Sequence, residues 1–368
     1  MSEKSVVCIL GKLPPPYMGP AVATEILLNS GLKNNFTLIH IDTKINADLR
    51  DMGSWSFKKL LKNLNIYFTL IKKEIRSKPD LVLIPISQST VGFLKDSIYI
   101  ILSRILGRKV LLHLRGSEFQ IWMNRSGNVM KAYVRWVLSI TSGVIVLGEN
   151  LRYLFEGFYP ANKIFVSPNG GDYIIPARKR KEEEKVRILY LGNLQPSKGI
   201  EDLIEAIALL NTEDLQKIEV EVIGGWRKES TRLKCLKLIQ DFSLPVSFYS
   251  PEVSLQKFEF LSNADIFVFP PREPEGHPWV IVEAMAAGLP IISTDRGAII
   301  ESVKDGDNGF IVPLADPRAI AEALKTLLAD PEKRKRMGPN SRKKYESGFT
   351  EARMVENLTK IFHKVIEV

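Results

Sequence analysis

The sequence predicts an α/β protein built from two doubly wound parallel sheets. Three observations lead there. The chain has 368 residues, a little over two domains at ~150 residues each. Short apolar, β-branched runs recur from end to end, and VVCIL, LVLIPI and RILYLG are apolar throughout, as strands covered by helices on both faces should be. Helical patterns separate them, and spacings of about 25–40 residues suit β–α–β crossovers.

In chain order, the first half predicts strands at Ser5–Leu10, Phe36–Ile41, Leu81–Ile86, Lys109–Leu114, Val144–Leu147 and Ile164–Ser167. The second half predicts them at Val186–Leu191, Ile218–Ile223, Val246–Tyr249, Ile266–Pro270, Pro290–Ser293 and Phe310–Val312. Between the halves, ARKRKEEEK (Ala177 to Lys185) is a charge run without apolar periodicity and reads as a solvated linker. The expected domains are residues 1–175 and 176–345. A final helix over 346–368, with Met354, Leu358, Ile361 and Phe362 on one face, is expected to return to the first domain. Tandem sheets of this kind would face a central cleft lined by the carboxyl ends of their strands, where open α/β sheets bind ligands.

Composition excludes several classes. With 45% hydrophobic and 25% charged residues, the chain is neither collagen-like nor disordered. Two cysteines, Cys8 in a strand pattern and Cys235 in a helical one, form no disulfide framework or zinc site. No run reaches the ~18 apolar residues of a membrane span, and MSEKSVVCIL enters a strand pattern directly, so a signal peptide is not expected. A cytoplasmic protein fits.

The net charge of +9 is unevenly placed. Residues 1–176 hold 22 Lys and Arg against 12 Asp and Glu, while residues 177–368 hold 29 against 30. The excess is densest between Phe57 and Lys78, with seven basic residues and one acidic. An anionic partner of the first half is implied. Phe57, Leu60, Leu61, Leu64, Phe68, Ile71 and Ile75 recur at helical spacing there. The expected arrangement is an apolar face buried on the sheet with a basic face outward.

Four loops after strands carry candidate chemistry. In GKLPPPYMGPAVATE, Pro20 suits a first helical position, and the amides of Gly19, Ala21 and Val22 would be free to hold an anion. VLLHLRGSEF places His113 at a strand end, followed by Arg115 and Glu118. In GNLQPSKGI, Lys198 starts a helix after a strand and a polar loop, without the Walker A spacing. FPPREPEGHPWVIVEAMAAGLPIIST has an acidic loop with Glu275, then a helix carrying Glu283 on an apolar face, where an unpaired carboxylate is costly. A ligand hydroxyl pair is a natural partner for Glu283. Asp305-Gly306-Asp307 matches an Asp-x-Asp metal signature, but KDGDNGFIV reads as a turn and no metal is inferred.

Together these segments resemble the retaining glycosyltransferases of the GT-B fold, family 4 (glycosyl transferases group 1), two Rossmann-like domains. The resemblance covers nearly the whole chain. It rests on Glu275…Glu283 with EAMAAGLPII, on GNLQPSKGI, on VSPNGGD and on DGDNGFIVP. It implies a donor-binding second domain and an acceptor-binding first domain. It matches Lys198 to the lysine on the donor diphosphate, Glu283 to the glutamate on the ribose hydroxyls, and Glu275 to the one facing the donor sugar. His113 falls near the active-site histidine and Gly19 in the N-terminal glycine loop. Lys198, Glu275 and His113 are therefore the expected catalytic residues. Glu283, Gly19, Asn193, Gly276, His277, Pro278, Trp279, Val280 and Gly225 are expected around the donor, and Arg115 and Glu118 on the acceptor side.

Three departures from the family pattern stand out. Its Gly-Gly is Gly19-Pro20, the arginine of its Gly-Arg-Leu segment is Asn193, and its Gly-Phe-Gly is Gly276-His277-Pro278. The missing arginine charge places more of the leaving-group charge on Lys198, with Arg115 or Arg272 near it.

The function implied is transfer of a hexose or N-acetylhexosamine from a nucleotide sugar, UDP-sugar favoured, to a glycan or lipid-linked acceptor of the cell envelope. No cofactor or metal is expected, and no nucleic acid. Residues 57–78 would bring the enzyme to the anionic inner face of a membrane. The alternatives are a nucleotide-sugar epimerase or hydrolase on the same scaffold, and a non-enzymatic anion-binding module.

Overall fold

The computed structural model describes residues 4–15, 18–44, 57–179, 185–250 and 256–367, with the backbone alone for 57–61. The chain divides into two compact units, Met1–Gly171 with Glu351–Val368, and Asp172–Thr350.

The first unit holds a six-stranded sheet of β1 (Val6–Gly11), β2 (Thr37–Asp42), β3 (Leu81–Ile86), β4 (Lys109–Leu114), β5 (Gly143–Val146) and β6 (Ile164–Val166), in the order β2-β1-β3-β4-β5-β6. The second holds β7 (Val186–Leu191), β8 (Ile218–Ile223), β9 (Val246–Tyr249), β10 (Ile266–Phe269), β11 (Ile291–Ser293) and β12 (Gly309–Ile311), in the order β12-β11-β10-β7-β8-β9. Every pairing is parallel. Both sheets are the doubly wound α/β kind that the apolar runs predict. Strand order reverses between β1 and β3 in the first sheet and between β7 and β10 in the second. Loops leaving the carboxyl ends of those pairs open a crevice, the ligand position of such sheets.

The final helix, Glu351–Glu367, belongs to the first unit. It buries Met354, Leu358, Ile361, Phe362 and Val365 against Val7, Ile9, Leu27, Leu32 and Phe36. Phe362 meets Phe36 edge to face at 5.5 Å, and a Glu351 carboxylate oxygen accepts from the amide of Gly31 at 3.1 Å.

Two expectations are corrected. The boundary falls at Gly171–Asp172 rather than in the charge run. Residues on the near side of that run are tied to the second unit: Arg178 pairs with Asp265 at 2.7 Å, and the Lys179 amide donates to Asn263 Oδ1. Residues 180–184 lie outside the described residues.

The basic helix, Phe57–Ser77, is the other. Ile66 and Leu70 are buried, as is Glu74, which accepts from Ser103 Oγ at 2.6 Å, whereas Leu64, Phe68 and Ile75 are 44%, 70% and 56% exposed. The buried arc is rotated by more than a third of a turn from the apolar arc. The helix meets the edge strand β2 and the helix Thr90–Ile105, where the Tyr67 ring packs at a tilt against Tyr99, 4.9 Å between centroids. That narrow seat selects Ile66, Tyr67 and Leu70, and leaves the apolar stripe facing outward.

Candidate active site

In the second unit, the loops that follow β7 and β10 leave the sheet at its reversal point, and they carry Lys198 and Glu275. The Lys198 ammonium donates to a Glu275 carboxylate oxygen, an ion pair bridging the two loops. Gly199 makes this close approach feasible. Its φ of +74° is strained for other residues, and a Cβ there would fall 1.9 Å from the Pro270 carbonyl. Buried Tyr190 braces the same loop, its hydroxyl donating to the carbonyls of Asn193 and Lys198 at 3.3 and 3.1 Å.

Glu283 lies within the helix Trp279–Ala286 and is 4% exposed. Its Oε1 accepts from Lys257 Nζ at 2.6 Å, so a lysine, and not only a ligand, neutralises this carboxylate. Oε2 has no partner among the described residues and is available to a ligand hydroxyl. Burial raises the carboxyl's pKa, and the Lys257 charge opposes that rise. Sequence reasoning missed Lys257 because nothing in its surroundings marks it as a partner 26 residues away.

Asn193 accepts two hydrogen bonds on Oδ1 from Arg227, at 3.2 and 2.9 Å. Arg227 comes from the neighbouring loop, which pairs with Asn193's own through the Leu194 amide and the Gly225 carbonyl at 2.9 Å. Arg272, by contrast, is spent on Asp202 in a bidentate pair at 2.6 Å. It holds the two loops together, and its backbone amide also donates to the Ser197 carbonyl.

The Gly276-His277-Pro278 segment turns its histidine inward. The His277 ring is 3% exposed and 2.6 Å from Ser302 Oγ, and burial pushes its pKa down to about 3. The imidazole of His277, a residue expected around the donor, is buried, neutral and engaged within the unit. Pro278 precedes the helix, and the amides of Trp279 and Val280 that open it have no intrahelical acceptor. A second unforeseen residue is Gly297 (φ +59°), where a Cβ would lie 2.0 Å from the Glu275 carbonyl and 2.3 Å from that of Gly276. Asp305-Gly306-Asp307 forms a turn in which Asp305 accepts from the Ile311 amide and Asp307 from Asn340.

The first unit places its candidates at the ends of β1 and β4. His113 is 4% exposed with neither ring nitrogen hydrogen-bonded. Burial, reinforced by Arg115, holds its pKa well below 6.5, so the ring is neutral. Arg115 and Gly116 follow, while the Glu118 side chain is exposed and its amide donates to Gln88 Oε1 at 2.5 Å. Gln88, another residue missed, fixes this loop: a Cβ on Gly116 would meet it at 2.1 Å. Gly19 opens the helix Gly19–Asn29 and is exposed. The amides of Ala21 and Val22 are not free as expected. Both donate to the Met18 carbonyl at 2.9 Å, because the first turn forms directly after Met18, the extended N-cap (φ −127°, ψ 148°).

Arranged this way, the second unit presents two lysines, each paired with a carboxylate, an arginine on Asn193, and helix-opening amides without intrahelical acceptors around a sheet reversal point. That chemistry suits a phosphorylated polyol, with charge for phosphate and carboxylates for hydroxyls. Residues 174–344, within the second unit, match the family model described as Glycosyl transferases group 1. The chain is 28% identical over 249 residues to the capsular polysaccharide biosynthesis glycosyltransferase CapM of Staphylococcus aureus, covering 61% of this chain and 62% of CapM. It is 28% identical over 210 residues to the lipopolysaccharide 1,2-N-acetylglucosaminetransferase of Salmonella typhimurium, covering 52% and 54%. The matches thus span roughly half to three-fifths of these relatives' lengths. Among solved structures, a Thermosynechococcus elongatus sucrose-phosphate synthase superposes with a TM-score of 0.76 at 17% identity, over 99% of this chain and 100% of that one. Anabaena HepE in complex with UDP gives 0.73 at 16%, over 98% and 100%. The fold is GT-B.

Proposed function

We propose that the chain is a retaining, metal-independent glycosyltransferase that takes a hexose or N-acetylhexosamine from a UDP-sugar. The single observation that carries this is the pair of carboxylate–lysine contacts, Glu275 with Lys198 and Glu283 with Lys257, set around the reversal point of a sheet in the glycosyl transferases group 1 region. Incoming diphosphate competes with Glu275 for Lys198, and the carboxylate so released turns to the sugar hydroxyls. Glu283 Oε2 receives a ribose hydroxyl. The acceptor oxygen bonds to the anomeric carbon on the face from which UDP leaves, and its proton passes to the departing phosphate. Lys198 offsets the charge that builds there, the kind of electrostatic term that is often the largest in catalysis.

The acceptor is a glycan or lipid-linked glycan of the envelope, in keeping with the capsule and lipopolysaccharide enzymes among the relatives. The helix Phe57–Ser77 supplies the membrane contact at the cytoplasmic face. Exposed Leu64, Phe68 and Ile75 run beside exposed Lys72 and Arg76, a pairing suited to an anionic lipid surface at roughly 1 kcal/mol per basic residue. Among the described residues, no helix is long and apolar enough to cross a membrane.

The test is UDP release from a panel of UDP-sugars, with and without EDTA, followed by NMR of the product's anomeric configuration. Transfer to a glycan with retained configuration and no EDTA sensitivity is expected. Loss of activity in EDTA, or an inverted product, would overturn the reading. UDP release or sugar epimerisation unaffected by any acceptor would favour the hydrolase or epimerase alternative.

A further inference from the structure

Glu283 stands between Val282 and Ala284, both fully buried, and its own side chain is 5% exposed. A carboxylate in such surroundings is costly without a counter-charge, and its protonated form is favoured instead. Which groups face it therefore decides what it can offer a ligand.

The helix Lys257–Asn263 supplies Lys257, whose ammonium donates to Glu283 Oε1 at 2.6 Å. That ammonium also lies 5.0 Å from the centre of the Phe258 ring, a cation–π contact that fixes it further. The helix Pro331–Gly348 brings Arg342 and Tyr345. Arg342 is taken by Glu346 and by the Ala286 carbonyl, each at 2.6 Å. Tyr173 packs between Phe258 and Tyr345, at 5.5 and 6.2 Å between ring centroids. Its hydroxyl is buried without a hydrogen-bond partner, and burial, reinforced by the Glu283 charge, holds its pKa well above 10, so it stays neutral. The helix Ile299–Ser302 contributes Glu301, and β11 has no titratable side chain. Of all these groups, Lys257 is the charge that offsets burial at Glu283.

We propose that Lys257 is a positioning residue for nucleotide binding: its ion pair keeps Glu283 a carboxylate, with Oε1 taken and Oε2 left for the ribose. The inference rests on the transferase reading above, which supplies the ribose. A hydroxyl donates more strongly to a carboxylate than to a carboxylic acid, which has a proton of its own to place. Without Lys257, burial leaves Glu283 protonated at neutral pH. The fold accommodates that neutral acid, but the ribose hydroxyl loses its charged acceptor. Loss of Lys257 therefore makes nucleotide binding depend on pH in a range where the parent's does not.

The test is calorimetric titration of UDP into the full chain at pH 7 and pH 9. It uses the parent, Lys257→Met, Lys257→Arg, Glu283→Gln and the double variant Lys257→Met/Glu283→Gln, each shown to be folded by circular dichroism. Lys257→Met should bind UDP at least tenfold more weakly than the parent at pH 7, and that deficit should shrink at least threefold by pH 9 as the carboxyl ionises. Lys257→Arg, which restores the charge, should stay within threefold of the parent at both pH values. In the Glu283→Gln background, where nothing remains to be ionised, Lys257→Met should change the affinity less than twofold. A purely structural role for Lys257 would give a deficit that is the same at both pH values and persists in the Glu283→Gln background; either result overturns the proposal, as does UDP binding by Lys257→Met within twofold of the parent at pH 7. Failure of the transferase reading looks different: the parent itself would bind no UDP, and the inference would fall with it.

Discussion

Lys257 Nζ lies 2.6 Å from Glu283 Oε1, so a carboxyl group inside an apolar helix face is paired with a lysine from another helix. The pair is asymmetric, with side-chain exposures of 30% for Lys257 and 5% for Glu283. Removing the lysine strands a buried charge, whereas removing the carboxylate leaves a lysine that reaches water.

Lys257→Ala should therefore destabilise the protein more than Glu283→Gln does, by about 2 kcal/mol in urea denaturation at pH 8. The sign with pH follows. The carboxyl's pKa is already raised by burial, and without Lys257 it rises further. A raised carboxyl pKa lowers stability as pH climbs through the folded value. The Lys257→Ala deficit should thus shrink between pH 8 and pH 5; a deficit that grows on acidification would contradict this account.

Both buried histidines act in the opposite direction. His277 is pushed down to about 3, and His113 well below 6.5. Their neutral forms stabilise the fold fully above about pH 6.5, and that contribution is lost as pH falls towards the folded values. Each should steepen the loss of stability below pH 6.5 by up to about 1.4 kcal/mol per pH unit. His277→Gln should remove one such slope.

Gly297→Ala tests how the Glu275 loop is held. Its Cβ would strike the carbonyls of Glu275 and Gly276, whereas at Gly306, also at positive φ (+74°), a Cβ meets nothing within 4 Å. Gly306→Ala should cost only the backbone term of about 1 kcal/mol. Gly297→Ala should cost more and lower kcat/KM at least a hundredfold by moving Glu275. Equal kinetics for the two variants would show that the loop does not depend on this contact.

Lys198→Ala should lower kcat at least tenfold, because Lys198 joins the β7 and β10 loops through Glu275 and is the cation proposed to meet the leaving diphosphate. Arg272 cannot substitute while it is locked to Asp202. Turnover within tenfold of the parent would remove Lys198 from the chemistry.

Much of the fold was legible because parallel strands buried on both faces leave continuous apolar runs. Leu81–Ile86 and Val186–Leu191 are such runs, and the structure has strands at those residues. Around the site, Lys198, Glu275 and Glu283 stood out locally, as charges in strand-to-helix loops or on an apolar helix face. Their partners did not. Lys257 and the Arg272–Asp202 pair lie 26 and 70 residues from the groups they meet, and Gly297 matters only because another loop crosses above it. The helix Phe57–Ser77 failed for a related reason. Periodicity locates the apolar arc of a helix, but the shape of the seat decides which arc is buried.

The most direct measurement is calorimetric titration of a panel of nucleotides and nucleotide sugars into the parent protein and into Glu283→Ala. The account predicts that one nucleotide is preferred, that its affinity is unchanged in EDTA, and that it falls at least tenfold in the variant. No binding at millimolar ligand, or equal binding by both proteins, would contradict the assignment of the second unit as the donor site.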